Sequence, residues 1–157
     1  MNRVSLISVI VLCACGAPSI PETDGILYSP CALVLIEPEA GTTEPERESV
    51  SAAIGLWRDV GLTTLSTSEG VSVAVRFAKA PAMFRGVYEP SSGVVFINRG
   101  LSGAERDITV AHELGHALGL PHVPPEERAS VMNPGNLTVL PSPSDQAALK
   151  RLWDCAL

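Results

Sequence analysis

Residues 112–122, HELGHALGLPH, hold all three histidines of a 157-residue chain. His112 and His116 are four apart, so on a helix their rings share one face, one turn above the other. That spacing lets a single Zn²⁺ take one nitrogen from each ring at about 2.0–2.1 Å. Glu113 stands one position further round the helix, outside the inner ligand shell. There it is suited to act as the catalytic general base toward a metal-bound water. Gly119 can adopt φ > 0, stop the helix and turn the chain so that His122 returns to the same ion. Pro121, Pro124 and Pro125 bar any continuation of the helix. Three neutral imidazoles leave a fourth position open, as a catalytic zinc site requires and a closed structural site does not. Five residues falling into this register by chance is an event on the order of one in 10⁵.

Upstream, the patterning describes a small mixed fold. Ala32 to Ile36 is a wholly apolar run and reads as a strand buried on both faces. Thr43-Glu44-Pro45-Glu46 has the form of a capping box. Behind it Val50, Ala53, Ile54 and Trp57 recur at helical spacing until Gly61, which can end the helix. Val71, Val73, Val75 and Phe77 alternate with Ser72, Ala74 and Arg76, the period of a strand. Phe84 to Tyr88 and Gly93 to Asn98 flank a Pro-Ser-Ser loop and suit a hairpin. Ser102 to Glu105 is a second capping box, opening a helix that runs to about Leu118 and carries the histidines. Downstream, Ser142-Pro143-Ser144-Asp145 can cap a last helix whose apolar face is Ala148, Leu149, Leu152 and Trp153. Trp57 and Trp153 read as core residues.

A chain of this length holds one ordinary domain. Eleven basic against seventeen acidic residues give a formal charge of −6, without the basic footprint that nucleic acid requires. Thirteen Pro and thirteen Gly are scattered without period, which excludes collagen-like and low-complexity readings.

The first residues read as an address. Met1-Asn2-Arg3 precedes Val4 to Leu12, nine mostly apolar residues that as a helix rise about 14 Å, roughly half a hydrocarbon core. This is the form of an export signal. Leu12-Cys13-Ala14-Cys15-Gly16 resembles the bacterial lipobox, which implies a signal peptide over 1–14 and a diacylglyceryl anchor on Cys15. The alternative is ordinary cleavage and secretion. Gly16 to Pro30 then reads as a lipid-anchored tether over 15–30, ahead of a domain over 31–157. Gly16, where an Asp would signal inner-membrane retention, favours the outer membrane of the bacterial envelope by analogy with enteric bacteria. With Cys13 removed and Cys15 lipidated, Cys31 and Cys155 remain as an even pair for an oxidising compartment. A disulfide between them would close a loop of more than about 120 residues, worth roughly 4–5 kcal/mol in the chain-entropy model. The alternative is a free Cys31 thiolate that caps the metal.

The eleven-residue stretch resembles the zinc signature of the metzincin metallopeptidases, and Ser130-Val131-Met132-Asn133-Pro134 resembles their Met-turn. The ten-residue spacing from His122 to Met132 is most similar to that of the matrixins. The resemblance implies an α+β fold: a small twisted, mostly parallel sheet with an antiparallel edge strand, two long helices and a C-terminal helix. It implies one catalytic Zn²⁺ on His112, His116 and His122, Met132 beneath the rings, and a peptide added as a strand at the edge formed by Phe84 to Tyr88. It also suggests that Ile108 lines a specificity pocket, unless it is plain core, with Pro134-Gly135-Asn136 as the outer wall. Several family features are missing: no histidines remain for a second zinc, and Asp59, Asp107, Asp145 and Asp154 are too scattered for a calcium loop. Asn133 and Pro134 stand where some members place an assisting Tyr. The expected function is a monomeric zinc metalloendopeptidase in which Glu113 activates a zinc-bound water. A non-cleaving metzincin-like surface binding module and a hydrolase of a non-protein amide, such as a cell-wall crosslink, are the alternatives.

Overall fold

The two opening boxes of the sequence behave differently. At Thr43 the box forms: the Thr43 N–H and hydroxyl both donate to Glu46 Oε2, at 2.7 and 2.8 Å, and start α1 (Glu44–Asp59). At Ser102, which precedes α2 (Gly103–Ala117), the expected box is absent. Gly103 enters that helix at φ 52, and the Ser102 hydroxyl makes no cap bond. Gly61 ends α1 as expected, at φ 94, with its N–H on Arg58 O and that of Leu62 on Trp57 O.

These features belong to a computed structural model that describes residues 25–155. The expected signal segment 1–14, the lipid site Cys15 and the first part of the tether lie outside the described residues. Residues 25–30, expected as the end of that tether, are docked on the folded body. The Ile26 N–H donates to Pro90 O (2.8 Å) and the Tyr28 N–H to Ala117 O (2.9 Å). Tyr28 is buried edge-on against Tyr88, with its hydroxyl on Gly93 O.

Five strands form one sheet in the order β2-β1-β3-β5-β4: β1 (Val34–Pro38), β2 (Leu65–Ser66), β3 (Val71–Ala78), β4 (Gly86–Glu89) and β5 (Val94–Asn98). All neighbours are parallel except β4, which runs antiparallel to β5 at the edge. The α+β architecture is the metzincin-like one that the sequence implied. Two-residue β2 carries no alternation and escaped the sequence reading.

Burial along β1 and β3 alternates, so the sheet has one covered face. Val34, Ile36, Val73, Val75, Phe77, Val95 and Ile97 point to the helices α1 and α2, which pack on each other. Ala32 to Ile36 is therefore not a strand buried on both faces. The strand begins at Val34, Leu33 is exposed, and the opposite face carries polar contacts such as Arg76 paired with Glu39 at 2.6 Å. Trp57 is fully buried at the helix contact and donates through Nε1 to Ala111 O (2.9 Å). α3 (Pro143–Trp153) closes the body, its Ser142–Asp145 box formed and Leu149 buried. Trp153 is partly buried, bonded through Nε1 to Leu118 O at 2.8 Å. Cys31 and Cys155 form a disulfide, which answers the alternative of a free Cys31 thiolate over a metal.

Candidate metal centre

The end of α2 determines where the third histidine goes. Gly119 sits at φ 94, its N–H on His116 O and the Leu120 N–H on Gly115 O, both 2.9 Å. This paired closure is a Schellman motif, open to a residue without Cβ. A Cβ at Gly119 would also stand 2.8 Å from Leu152 Cδ2, so that side chain would have to shift. The chain then reverses through Pro121, and His122 comes back over the helix.

The three Nε2 atoms form a nearly equilateral triangle, 3.1 Å between His112 and His116, 3.2 Å between His116 and His122, and 3.3 Å between His112 and His122. Nitrogens at about 2.05 Å from a tetrahedral zinc are roughly 3.3 Å apart, so the donor set fits that ion. The opposite ring nitrogens are occupied. His112 Nδ1 lies 2.6 Å from Val131 O, and His116 Nδ1 lies 2.8 Å from Leu120 O. Since a carbonyl only accepts, each Nδ1 carries the proton and each Nε2 presents its lone pair inward. Burial lowers the pKa of both rings, that of His116 to about 4, and so keeps them neutral. Among the described residues this is the one His, Cys, Asp and Glu cluster able to hold a metal.

Met132 is buried against α2, where a Cβ added at Gly115 would lie 2.4 Å from its sulfur. Gly115 is thus the gap through which α2 and the Met-turn approach. The turn is stitched from both sides. The Val123 N–H donates to Met132 O (3.0 Å), the Asn133 amide donates to Val123 O (2.8 Å), and the Ser130 hydroxyl receives the Met132 N–H (3.0 Å). Ser130 in turn donates to Asp145 at the start of α3 (2.5 Å), where Arg128 also pairs at 2.7 Å. The sequence marked Asp145 as a helix cap alone; its reach to the turn needs the tertiary fold.

Glu113 is buried beside the triad, and burial raises its pKa to about 7 against the opposing pull of the Tyr88 N–H. That N–H donates to Glu113 Oε2 at 2.9 Å. The Asn98 N–H donates to Arg85 O, so along antiparallel β4 the groups of residues 85, 87 and 89 face β5, while those of Gly86 and Tyr88 face the free edge. A Cβ at Gly86 would approach Glu113 Cγ and Oε1 to 3.0 Å, so this glycine clears the carboxylate's seat. A lone Gly before an apolar pair gave no hint of this in the sequence.

Two cavities meet at the triad. One, about 390 Å³, is walled by Leu27, Val87, Pro90 and Leu120. The other, about 280 Å³, is walled by Phe84, Arg85, Thr109 and Pro134 to Asn136. His112, Glu113 and His122 line both. Pro134, Gly135 and Asn136, expected as the outer wall of a specificity pocket, line the second cavity. Ile108 is not in either cavity: it is buried in the core, and Thr109, one position round the helix, faces the space instead.

Neither the protein-family models nor the curated proteins include a match to this chain. Among solved structures it superposes on the zinc protease High choriolytic enzyme 1, a hatching enzyme of the medaka fish Oryzias latipes. The TM-score is 0.53 at 14% identity, over 84% of this chain and 94% of that one. The fold is shared with a zinc protease. Two structures of myroilysin also match, with TM-scores of 0.46 and 0.45 at 20% and 18% identity, over 66% and 90% of this chain and 51% and 72% of theirs.

Proposed function

We propose that this chain is a zinc-dependent metalloendopeptidase of metzincin type, with matrixin-like spacing, in which His112, His116 and His122 hold the metal and Glu113 is the catalytic base. The observation that carries this is the convergence of three Nε2 atoms, those of His112 and His116 with the lone pair inward, beside a buried carboxylate at a sheet edge. Zinc held there supplies a Lewis acid for the scissile carbonyl and lowers the pKa of water. Glu113, with its pKa raised to about 7, can accept the proton of the attacking water and deliver it to the leaving amine. The Tyr88 N–H holds Oε2 in place, and Gly86 leaves room for the second oxygen. With the Tyr88 N–H engaged by Glu113, the outward main-chain groups of Gly86 and the Tyr88 carbonyl can align a peptide as an added antiparallel strand. An extended backbone is what this edge recognises, which favours a peptide over a cell-wall amide.

The test is metal analysis of the purified domain together with casein digestion, with and without chelator. One zinc per chain and chelator-sensitive digestion are expected; zinc content with no cleavage would instead support a binding module, and digestion unaffected by chelator would remove the metal from the account.

The location belongs to the same reading: anchored by lipid on Cys15 in the bacterial envelope, at the outer membrane. Support comes from Leu12 to Gly16, with the Cys31–Cys155 disulfide fitting an oxidising compartment. Replacing Cys15 with Ser should move the protein from the detergent phase to the aqueous phase.

A further inference from the structure

The 280 Å³ cavity contains an unused cation. Apart from the residues of the metal centre, its other polar side chains are satisfied internally: the Thr109 hydroxyl donates to Glu105 O at 2.8 Å, and the Asn136 amide donates to Val131 O and Val139 O while its oxygen accepts the Thr138 and Val139 N–H groups. Arg85 differs. Its one hydrogen bond among the described residues runs from Nη1 to the neutral carbonyl of Gly135, at 3.1 Å. The ion pairs of the described residues are Arg47–Glu44, Arg76–Glu39, Arg99–Glu46 and Arg128–Asp145, so no carboxylate answers Arg85. A half-buried guanidinium is thus held at one corner, with its remaining N–H donors unclaimed in the wall beside Glu113.

Resting on the endopeptidase reading above, we propose that Arg85 determines specificity: the cavity takes an aspartate or glutamate side chain from the substrate residue adjacent to the cleaved bond. A guanidinium offers parallel donors that match both oxygens of a carboxylate, and partial burial strengthens that pairing relative to an exposed one. The Gly135 contact fixes the head before substrate arrives, so less side-chain freedom is lost on pairing. Arg85 also directly precedes Gly86, whose main chain faces the free edge of β4. A peptide aligned there passes its side chains over this cavity. Bulk charge does not create the preference, since a chain of net charge −6 repels acidic peptides at long range.

The test uses the zinc-loaded protein and a peptide library with mass-spectrometric assignment of cut sites, then a matched pair of peptides carrying Glu or Gln at the selected position. Asp and Glu should be enriched next to the cut. The kcat/KM ratio of the Glu over the Gln peptide should be roughly ten- to a hundredfold, should fall to about one in R85Q, and should be partly retained in R85K. R85E should turn the preference toward Lys and Arg. Zinc content and the thermal unfolding profile establish that each variant is folded. An acidic preference absent in the wild type, or intact in R85Q, overturns the proposal. A second readout does not depend on turnover: fluorescence anisotropy of the same peptides on E113Q and on E113Q/R85Q. Tighter binding of the Glu peptide that disappears in the double variant supports the role of Arg85, and equal binding refutes it. If the wild type cuts no peptide, the endopeptidase reading fails on its own, and the anisotropy comparison still decides on Arg85.

Discussion

On the function proposed above, Glu113 and the histidines do different work, and single substitutions should separate them. Glu113→Gln keeps the shape and the Tyr88 contact but loses the base, so zinc should remain stoichiometric while turnover falls roughly 10²- to 10⁴-fold. Metal analysis beside peptide hydrolysis reads both. His116→Ala removes one corner of the triangle, and metal content should fall with activity. The convergence of the three rings was legible from their positions alone, because helix periodicity and one glycine dictate where the rings go. Arg85 and the Tyr88 N–H were not, since what matters about them is a distance to residues 25 or more positions away. Ile108 and Thr109 show the limit from the other side. Both lie a turn before His112, and only the packed orientation of α2 decides that Thr109 faces the cavity and Ile108 the core.

At the level of elements, the site depends on how α2 ends and on how the Met-turn is tied to α3. Gly119→Ala would place a side chain at φ 94 and 2.8 Å from Leu152, in the residue that reverses the chain toward His122. A loss of about 1–3 kcal/mol is expected in urea unfolding, with weaker zinc retention on dialysis. Asp145 accepts from Arg128, Ser130 and Ser142, and is fully buried. Burial alone would raise its pKa, but these donors outweigh burial and hold it below the usual value, as Thr43 and Arg99 do for Glu46. Both groups therefore stabilise the fold fully above the unfolded carboxylate pKa of about 4, and this contribution is lost as pH falls through their lower folded values. The share of stability that these two carboxylates supply should be constant between pH 7 and 5 and drop steeply below about pH 4, read as the difference in urea midpoint between the wild type and a variant lacking the carboxylate. Asp145→Ala should lower the midpoint at pH 7 and flatten that acid limb. Patterning revealed α1, α2, α3 and the longer strands because each has enough residues to display a period. It missed two-residue β2, and it read the apolar run at Ala32 as doubly buried because a run without polar residues does not say which face is covered.

Across the whole molecule, the disulfide joins residues 124 apart in sequence and encloses every described element. Replacing Cys31 and Cys155 together with Ser should cost about 2–5 kcal/mol in equilibrium unfolding, most of it through the freedom regained by the unfolded chain. The pairing was legible as arithmetic on four cysteines, whereas the seat of Tyr28 against Tyr88 was not: a segment rich in Pro, Gly and Ser gives no sign that one aromatic within it is core. If the proposed endopeptidase activity is found, the same bond has a practical effect on its assay. One cut anywhere between Cys31 and Cys155 leaves two fragments still covalently tied, so a self-nicked sample migrates as a single band until a reductant is added to the gel.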